Sequence, residues 1–63
     1  MLGYTFASLN LPTPKTDEDL VGATFRDPIG GDEVTVEAMT CFAAIDGRGW
    51  ALYTDGGMFI IYA

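Results

Sequence analysis

The chain has nine carboxylates and one cysteine but no histidine. Any acid–base or nucleophilic catalysis would therefore depend on the carboxylates or on the cysteine. General acid–base catalysis at neutral pH most often uses histidine, and a nucleophilic cysteine needs a basic neighbour. Cys41 lies instead in a mainly apolar setting, between Thr40 and Phe42 with Met39 nearby. We therefore expect Cys41 to serve packing, and we predict a protein that is not an enzyme and has no catalytic residues.

One acidic segment partly resembles a calcium-binding loop. Residues 17–22 place acids at the first and third positions and glycine at the sixth, but Val21 takes the fifth position and Pro28 the twelfth, where oxygen ligands are needed. A single cysteine without histidine cannot form a closed zinc site. Residues 47–49 lack the third glycine of a dinucleotide-binding fingerprint. We predict no metal and no cofactor.

Charge is the feature of the sequence with the most functional content. Nine acids against three basic residues give a net charge of −6, which disfavours direct binding to nucleic acid and to anionic membranes. Most of the acids fall in expected turns, so a compact fold displays a negative surface. That surface either keeps the chain soluble or binds a basic partner. The candidate partner-binding residues are Asp17, Glu18, Asp19, Asp32, Glu33, Asp46, Arg48 and Asp55.

Two functional hypotheses follow from this display. The first is a non-enzymatic binding protein that occupies the basic, nucleic-acid-binding surface of another protein. In size and charge the chain is similar to the compact acidic proteins that phages encode as inhibitors of host nucleic-acid machinery, anti-CRISPR proteins among them, although no motif is shared. The second is a homo-oligomeric structural or virion component that self-associates through the apolar C-terminal strand, residues 58–62.

The elements that must position these residues are short strands. Leu2, Tyr4 and Phe6 alternate with small or polar residues, which predicts an N-terminal strand. Two prolines then predict a loop over residues 10–15. Residues 16–22 favour a short helix or a tight acidic loop.

The middle of the chain has two interpretations. Residues 23–26 predict a short strand, followed by a turn at 27–32 that contains proline and paired glycines. Residues 34–39 alternate and begin with β-branched side chains, which favours a strand. A helix over residues 37–44 is the alternative, because that half is richer in alanine and methionine.

The C-terminal third predicts two hairpins. Apolar runs at 42–45, 50–54 and 58–62 are separated by Asp-Gly turns at 46–49 and 55–57. We expect one mainly β domain over residues 1–63, a small antiparallel sheet or SH3-like barrel of four to five strands with room for one short helix, or α+β if 37–44 is helical. The aromatic side chains expected to fill the core are Trp50, Tyr53, Phe59 and Tyr62.

Length and composition set the remaining expectations. Sixty-three residues with 49% apolar content indicate a globular domain that is marginally stable alone. No run approaches the roughly 20 apolar residues of a membrane span, and residues 1–8 lack the pattern of a signal peptide. We therefore expect a cytoplasmic protein.

Overall fold

A computed structural model describes residues 4–45 and 47–62 and is mainly β, as the sequence predicts. A short 3-10 helix, Ala7–Leu9, is followed by β1 (Thr24–Arg26), β2 (Glu33–Ala44), β3 (Gly47–Thr54) and β4 (Gly57–Tyr62). The strands form one antiparallel sheet in the order β1-β2-β3-β4, curled into a half-barrel. In the part of the chain that the structure describes, no helix is long and apolar enough to cross a membrane.

Val36 is the point at which β2 exchanges one partner for another. Residues 33–35 pair with β1, and from Val36 onward the strand pairs with β3, with a bulge between Val36 and Ala38. The Val36 amide donates to the Ala23 carbonyl at 2.9 Å, and the Gly22 amide donates to the Val36 carbonyl at 2.8 Å. Because a bulge bends its strand and increases the local twist, β2 turns from one pairing to the next without a break.

Residues 37–44 are a strand, so the helical alternative for this segment is wrong. Every residue from Ala38 to Ala44 pairs with a residue of β3. A helix there would leave the pairing groups of β3 without that partner, and a buried strand needs its backbone groups paired. Cross-strand pairing therefore outweighs the local helix propensity of alanine and methionine.

The turn between β2 and β3 is shorter than predicted. β3 begins at Gly47, so residues 47–49 belong to the strand and not to the turn. Gly49 stands opposite Phe42, and a β-carbon on Gly49 would overlap the Phe42 ring. Gly49 therefore lets the Phe42 ring pack closely against the backbone inside the sheet. In the sequence, a glycine with this packing role cannot be distinguished from a glycine in a turn.

The inner face of the sheet carries the core. Phe25, Val34, Val36, Met39, Trp50, Leu52, Phe59 and Ile61 are all buried on it, and the N-terminal segment adds Phe6, Leu9 and Leu20. Phe6 packs edge-on against Trp50 with ring centres 6.5 Å apart, and Phe25 packs edge-on against Phe59 at 5.2 Å. An irregular segment thus covers the sheet where a helix would in many small folds.

The predicted N-terminal strand is wrong over the residues that the structure describes. Tyr4 makes a single parallel bridge to Ile61, and the chain then turns through the 3-10 helix; Leu2 lies outside the described residues. The Thr5 and Ser8 side chains accept hydrogen bonds from each other's backbone amides at 3.1 and 3.2 Å. Local side-chain bonding of this kind competes with strand pairing, which explains why the alternation of Tyr4 and Phe6 misleads.

The opposite side of the sheet, here called the outer face, is formed by the residues that alternate with the core positions of β2, β3 and β4. The prediction that aromatic side chains fill the core is confirmed for Trp50 and Phe59 but wrong for Tyr53 and Tyr62, which are exposed. Beyond the bulge of β2, the outer face consists of Ala38, Thr40, Phe42, Ala44, Gly47, Gly49, Ala51, Tyr53, Met58, Ile60 and Tyr62. Before the bulge, Glu33 and Thr35 lie on the same side of β2.

We expect Trp50→Ala to lower the free energy of unfolding by about 3 to 5 kcal/mol, because this side chain is only 2% exposed and contacts the N-terminal segment. The loss is large enough to unfold a domain of this size. Urea denaturation followed by circular dichroism measures it. Ile29→Ala, at a side chain that is 86% exposed, is the control and should change stability by less than about 0.5 kcal/mol. Equal effects would contradict the core assignment.

Gly49→Ala is expected to destabilise the sheet although alanine normally improves on glycine in a strand by roughly 0.5 to 1 kcal/mol. The added methyl group must displace the Phe42 ring and so separate it from Tyr62, whose ring centre is 6.5 Å away. Thermal unfolding and the NMR contacts between the two rings provide the measurement. In a Phe42→Ala background the same substitution should become neutral or stabilising.

Candidate functional site

Eight of the carboxylates gather on segments attached to residues 33–37 of β2. The turn that ends at Gly22 is bonded to Val36, the β1–β2 turn leads directly into Glu33, and the β3–β4 turn is bonded to Thr35. We call this region the acidic end. Its carboxylates are Asp17, Glu18, Asp19, Asp27, Asp32, Glu33, Glu37 and Asp55, all of them exposed except the half-buried Asp27.

The acidic turn, residues 16–22, is a tight loop and not a helix. The Asp19 carboxylate accepts hydrogen bonds from the Lys15 amide at 2.6 Å, the Thr16 amide at 3.1 Å and the Thr16 hydroxyl at 2.7 Å. These bonds favour the ionised form, so the Thr16 hydroxyl first and the Lys15 amide next hold the pKa of Asp19 below its ordinary value. Asp19 therefore maintains the shape of the turn that presents Asp17 and Glu18.

The β1–β2 turn is held by Asp27. Its carboxylate accepts from the Ile29 amide at 2.9 Å, its carbonyl accepts from the Gly31 amide at 2.8 Å, and its own amide donates to the Asp32 carbonyl at 2.8 Å. Gly31 has a φ of 79°, a conformation that favours glycine. The Arg26 guanidinium donates to the Gly31 carbonyl at 2.6 Å.

Asp55 is the structural carboxylate of the β3–β4 turn. Its Oδ1 atom accepts from the Thr35 amide at 2.9 Å, and its own amide donates to the Thr35 carbonyl at 3.2 Å. The Thr54 hydroxyl closes the same turn by donating to the Gly57 carbonyl at 2.7 Å. Asp55 thus pairs with Thr35, the residue of β2 just before Val36, where the pairing of β2 changes from β1 to β3.

The other five carboxylates of the acidic end do not hold a turn. Within the described residues, no hydrogen bond reaches the side chains of Asp17, Glu18, Asp32, Glu33 and Glu37. Their charges stand in solvent, where a partner can approach them. The acidic end therefore combines three carboxylates that hold its turns with five that are free to bind.

The predicted site residues divide into two groups. The structure brings Asp17, Glu18, Asp19, Asp32, Glu33 and Asp55 to the acidic end. Arg48 lies on β3 opposite Ala43, and Ala43 is eight residues along β2 from Thr35, a distance of about 26 Å in an extended strand. Asp46 lies outside the described residues. Arg48 is therefore far from the acids with which it was grouped.

Sequence reasoning missed two members of the acidic end, Asp27 and Glu37. Asp27 precedes a proline, which is a recognised turn signal, and its place beside Glu33 follows from the pairing of Arg26 with that residue. Glu37 lies in the bulge between Val36 and Ala38. A bulge leaves no clear mark in the sequence, so the position of Glu37 was not predictable.

The end of the sheet that carries Arg48 has a different character. An open cleft of about 410 Å³ lies at the β2–β3 hairpin and is lined by Phe42, Ala43, Ala44, Ile45, Gly47, Arg48 and Tyr62. Among the described residues, its lining side chains are apolar apart from the Arg48 guanidinium and the Tyr62 hydroxyl. Cys41, on the same strand, is half-buried and packs against the core. Among residues 4–45 and 47–62, no three histidine, cysteine or acidic side chains group as a metal site would.

Comparisons of this chain with family models, with curated proteins and with solved structures give no match. Its function is therefore inferred from the geometry and charge of its own residues.

We expect Thr16→Val to raise the pKa of Asp19 toward its ordinary value, because the hydroxyl is the first of the groups that stabilise the carboxylate. An NMR titration of the Asp19 carboxyl carbon measures this shift. Since the folded pKa is depressed, the contribution of Asp19 to stability is present above the unfolded value of about 3.9 and disappears as the pH falls through the folded value. Thr40→Val, the same change on the outer face, should leave the titration unaltered.

Proposed function

We propose that this chain is a non-enzymatic binding protein whose acidic end occupies a basic, nucleic-acid-binding surface of a partner protein. The observation that supports the proposal is the segregation of charge. The acidic end contains eight carboxylates and two basic side chains, Lys15 and Arg26. Its net charge is therefore −6, which equals the net charge of the whole chain.

The physical basis is the field that such a region creates. Charges of one sign on neighbouring turns add to a potential that extends into solvent and attracts a surface of opposite sign. Carboxylates carried only for solubility need no particular arrangement and work best when dispersed. The attachment of three acidic segments to residues 33–37 therefore favours a binding surface over a solubilising one.

The mode of action we propose is competition. Exposed carboxylates on rigid turns present oxygen atoms to the lysine and arginine side chains that otherwise contact phosphate groups. Asp19, Asp27 and Asp55 fix the three turns through their hydrogen bonds, so little ordering is required on binding. A partner that is covered in this way loses access to its nucleic acid.

The structure also determines which residues test the proposal. Asp19 and Asp55 are unsuitable, because their carboxylates hold backbone amides and reversing them would alter the turns. Asp17 and Glu18 are exposed and free of side-chain hydrogen bonds, so their reversal changes charge with little effect on the fold. Arg48→Glu, at the opposite end of the sheet, is the control.

We expect Asp17→Lys/Glu18→Lys to weaken binding to a basic partner by at least about tenfold in the association rate, because exposed charges act mainly by steering. A partner captured from the native host and identified by mass spectrometry is purified, and its affinity for the chain is measured at several salt concentrations. Binding should weaken as salt rises, since screening acts within about 8 Å at physiological ionic strength. Competing DNA or RNA should displace the chain.

The control and the contrary result are both specific. Arg48→Glu makes the chain more negative without touching the acidic end, so it should not reduce the affinity. An affinity that is independent of salt, unchanged by the double reversal and insensitive to nucleic acid would contradict the proposal. It would place the contact on an apolar surface instead.

A further inference from the structure

β1 is the outermost strand at one side of the sheet, and it pairs there with β2 alone. Residues that are hydrogen-bonded across an antiparallel ladder alternate with residues that are not. The Ala23 carbonyl and the Asp27 amide both bond toward the β2 side, so Phe25, midway between them, bonds to that side as well. The amides and carbonyls of Thr24 and Arg26 therefore point away from β2.

These four backbone groups form an open strand edge. Among the described residues, no hydrogen bond reaches the amide or the carbonyl of Thr24 or Arg26. The other outer strand, β4, is covered, because the Tyr4 amide donates to the Ile60 carbonyl at 3.3 Å and the Tyr62 amide donates to the Tyr4 carbonyl at 2.9 Å. An uncovered edge of this kind is a template for a further strand.

An open cleft of about 440 Å³ lies beside β1. One wall is β1 itself, and the N-terminal segment forms the other wall with Ser8, Leu9 and Asn10. Within the described part of the chain, β2 contributes nothing to the lining, so the cleft lies on the free side of β1. Because the sheet is a half-barrel, one more strand placed in this cleft would continue it.

The lining of the cleft suits a peptide backbone. Leu9 and Phe25 are buried and supply its apolar part. The side-chain amide of Asn10 has no hydrogen bond to any described residue, and such an amide can both donate to and accept from a peptide group. The volume falls in the range of about 300 to 1,000 Å³ that is typical of binding sites.

Both walls of the cleft are held by local hydrogen bonds. On the β1 side, the Asp27 carboxylate and carbonyl fix the turn that follows the strand. On the other side, the Leu9 amide donates to the Phe6 carbonyl and the Asn10 amide to the Ala7 carbonyl, each at 3.1 Å. A segment that enters the cleft meets groups that are already in place, so the entropy cost of binding falls mainly on the segment itself.

Charge selects among the segments that could enter. Asp27 and Asp32 lie in the turn that follows β1, and Glu33 stands opposite Arg26. The Arg26 guanidinium donates to the Gly31 carbonyl at 2.6 Å, so three carboxylates and one guanidinium surround this end of the edge. A strand added to β1 lies about 4.8 Å from it, well inside the screening length of about 8 Å. The excess of carboxylates attracts a basic segment and repels an acidic one.

We propose that an extended segment of the partner protein, carrying lysine or arginine, adds to β1 as a further strand and fills this cleft. Its amides donate to the Thr24 and Arg26 carbonyls, and its carbonyls accept from the Thr24 and Arg26 amides. Main-chain pairing of this kind supplies affinity with little demand on sequence, while the neighbouring charges supply selectivity. The inference rests on the proposed function and specifies how the acidic end holds its basic partner.

The test is NMR of the whole chain with a synthetic peptide of about eight residues in which lysine and valine alternate. In the free chain, the Thr24 and Arg26 amides should exchange rapidly with solvent, whereas the Phe25 amide, bonded within the ladder, should exchange slowly. We expect the peptide to reach saturation below about 1 mM. At saturation the exchange of the Thr24 and Arg26 amides should slow at least about tenfold.

Two matched peptides separate backbone pairing from charge. Methylation of alternate backbone amides keeps the charges of the peptide but removes its donors, so it should weaken binding at least about tenfold. Replacement of every lysine by glutamate keeps the donors but reverses the charges, and it should weaken binding by a similar factor of about ten or more.

Thr24→Pro is the corresponding variant of the chain. It removes one outward amide and no bond to β2, and edge strands tolerate proline at such positions. We expect it to weaken binding of the lysine–valine peptide at least about tenfold, whereas Thr24→Val, which keeps the amide, should leave binding unchanged. Circular dichroism verifies that both variants are folded, and the exchange measurement on the unaltered chain does not depend on either of them.

The contrary results distinguish this inference from the proposed function. Absence of peptide binding up to about 1 mM, or binding that leaves the Thr24 and Arg26 amides unprotected, would overturn the inference. If Asp17→Lys/Glu18→Lys weakens binding of the partner while the bound partner leaves these amides unprotected, the inference alone fails. If partner binding is indifferent to salt and to that double reversal, the proposed function fails, whatever the peptide does.

Discussion

The two hydrogen bonds of Val36 determine how the whole sheet is arranged. They join the strand to Ala23 and Gly22 at the residue where β2 leaves β1 and begins its pairing with β3. The bulge that follows turns the strand, so that one chain segment serves both the short edge of the sheet and its centre. Three consequences follow from this position: the acidic turn is brought beside β2, the inner face closes over the core, and the later part of β2 runs on to the hairpin without β1 beside it.

Much of this fold could be predicted from local sequence. The Asp-Gly signals and the apolar runs locate β3 and β4 within a few residues, and the β-branched residues at 34–36 identify β2 correctly. The failures have physical causes. Gly49 resembles a turn residue because glycine serves both tight turns and close packing, and only the position of Phe42 distinguishes the two. The alternation of Tyr4 and Phe6 resembles a strand, but Thr5 and Ser8 bond to each other's backbone and turn the chain.

The negative charge of the candidate site could be predicted from the sequence, but the arrangement of its segments could not. Composition alone indicates a negative surface, and turn chemistry indicates which acids are exposed. That three separate segments meet at residues 33–37 depends on strand register, which no local pattern encodes. For the same reason Arg48, close in sequence to Asp46, was grouped with acids from which β2 separates it. The sequence also could not distinguish Trp50 from Tyr53, since both alternate in an apolar strand and only one of the two faces is covered.

The bridge between Tyr4 and Ile61 has a consequence for the order in which this chain folds. The hairpins of the sheet join residues that are close in sequence, so they form at low cost in loop entropy, whereas this bridge closes nearly the entire chain. Loop-closure entropy therefore favours the pairing of β4 with β3 before this bridge forms. We therefore expect the N-terminal segment to dock last and to open first. Each such opening frees the Ile60 carbonyl and the Tyr62 amide, so brief fraying at one end of the chain, and not complete unfolding, exposes a strand edge that can nucleate aggregation.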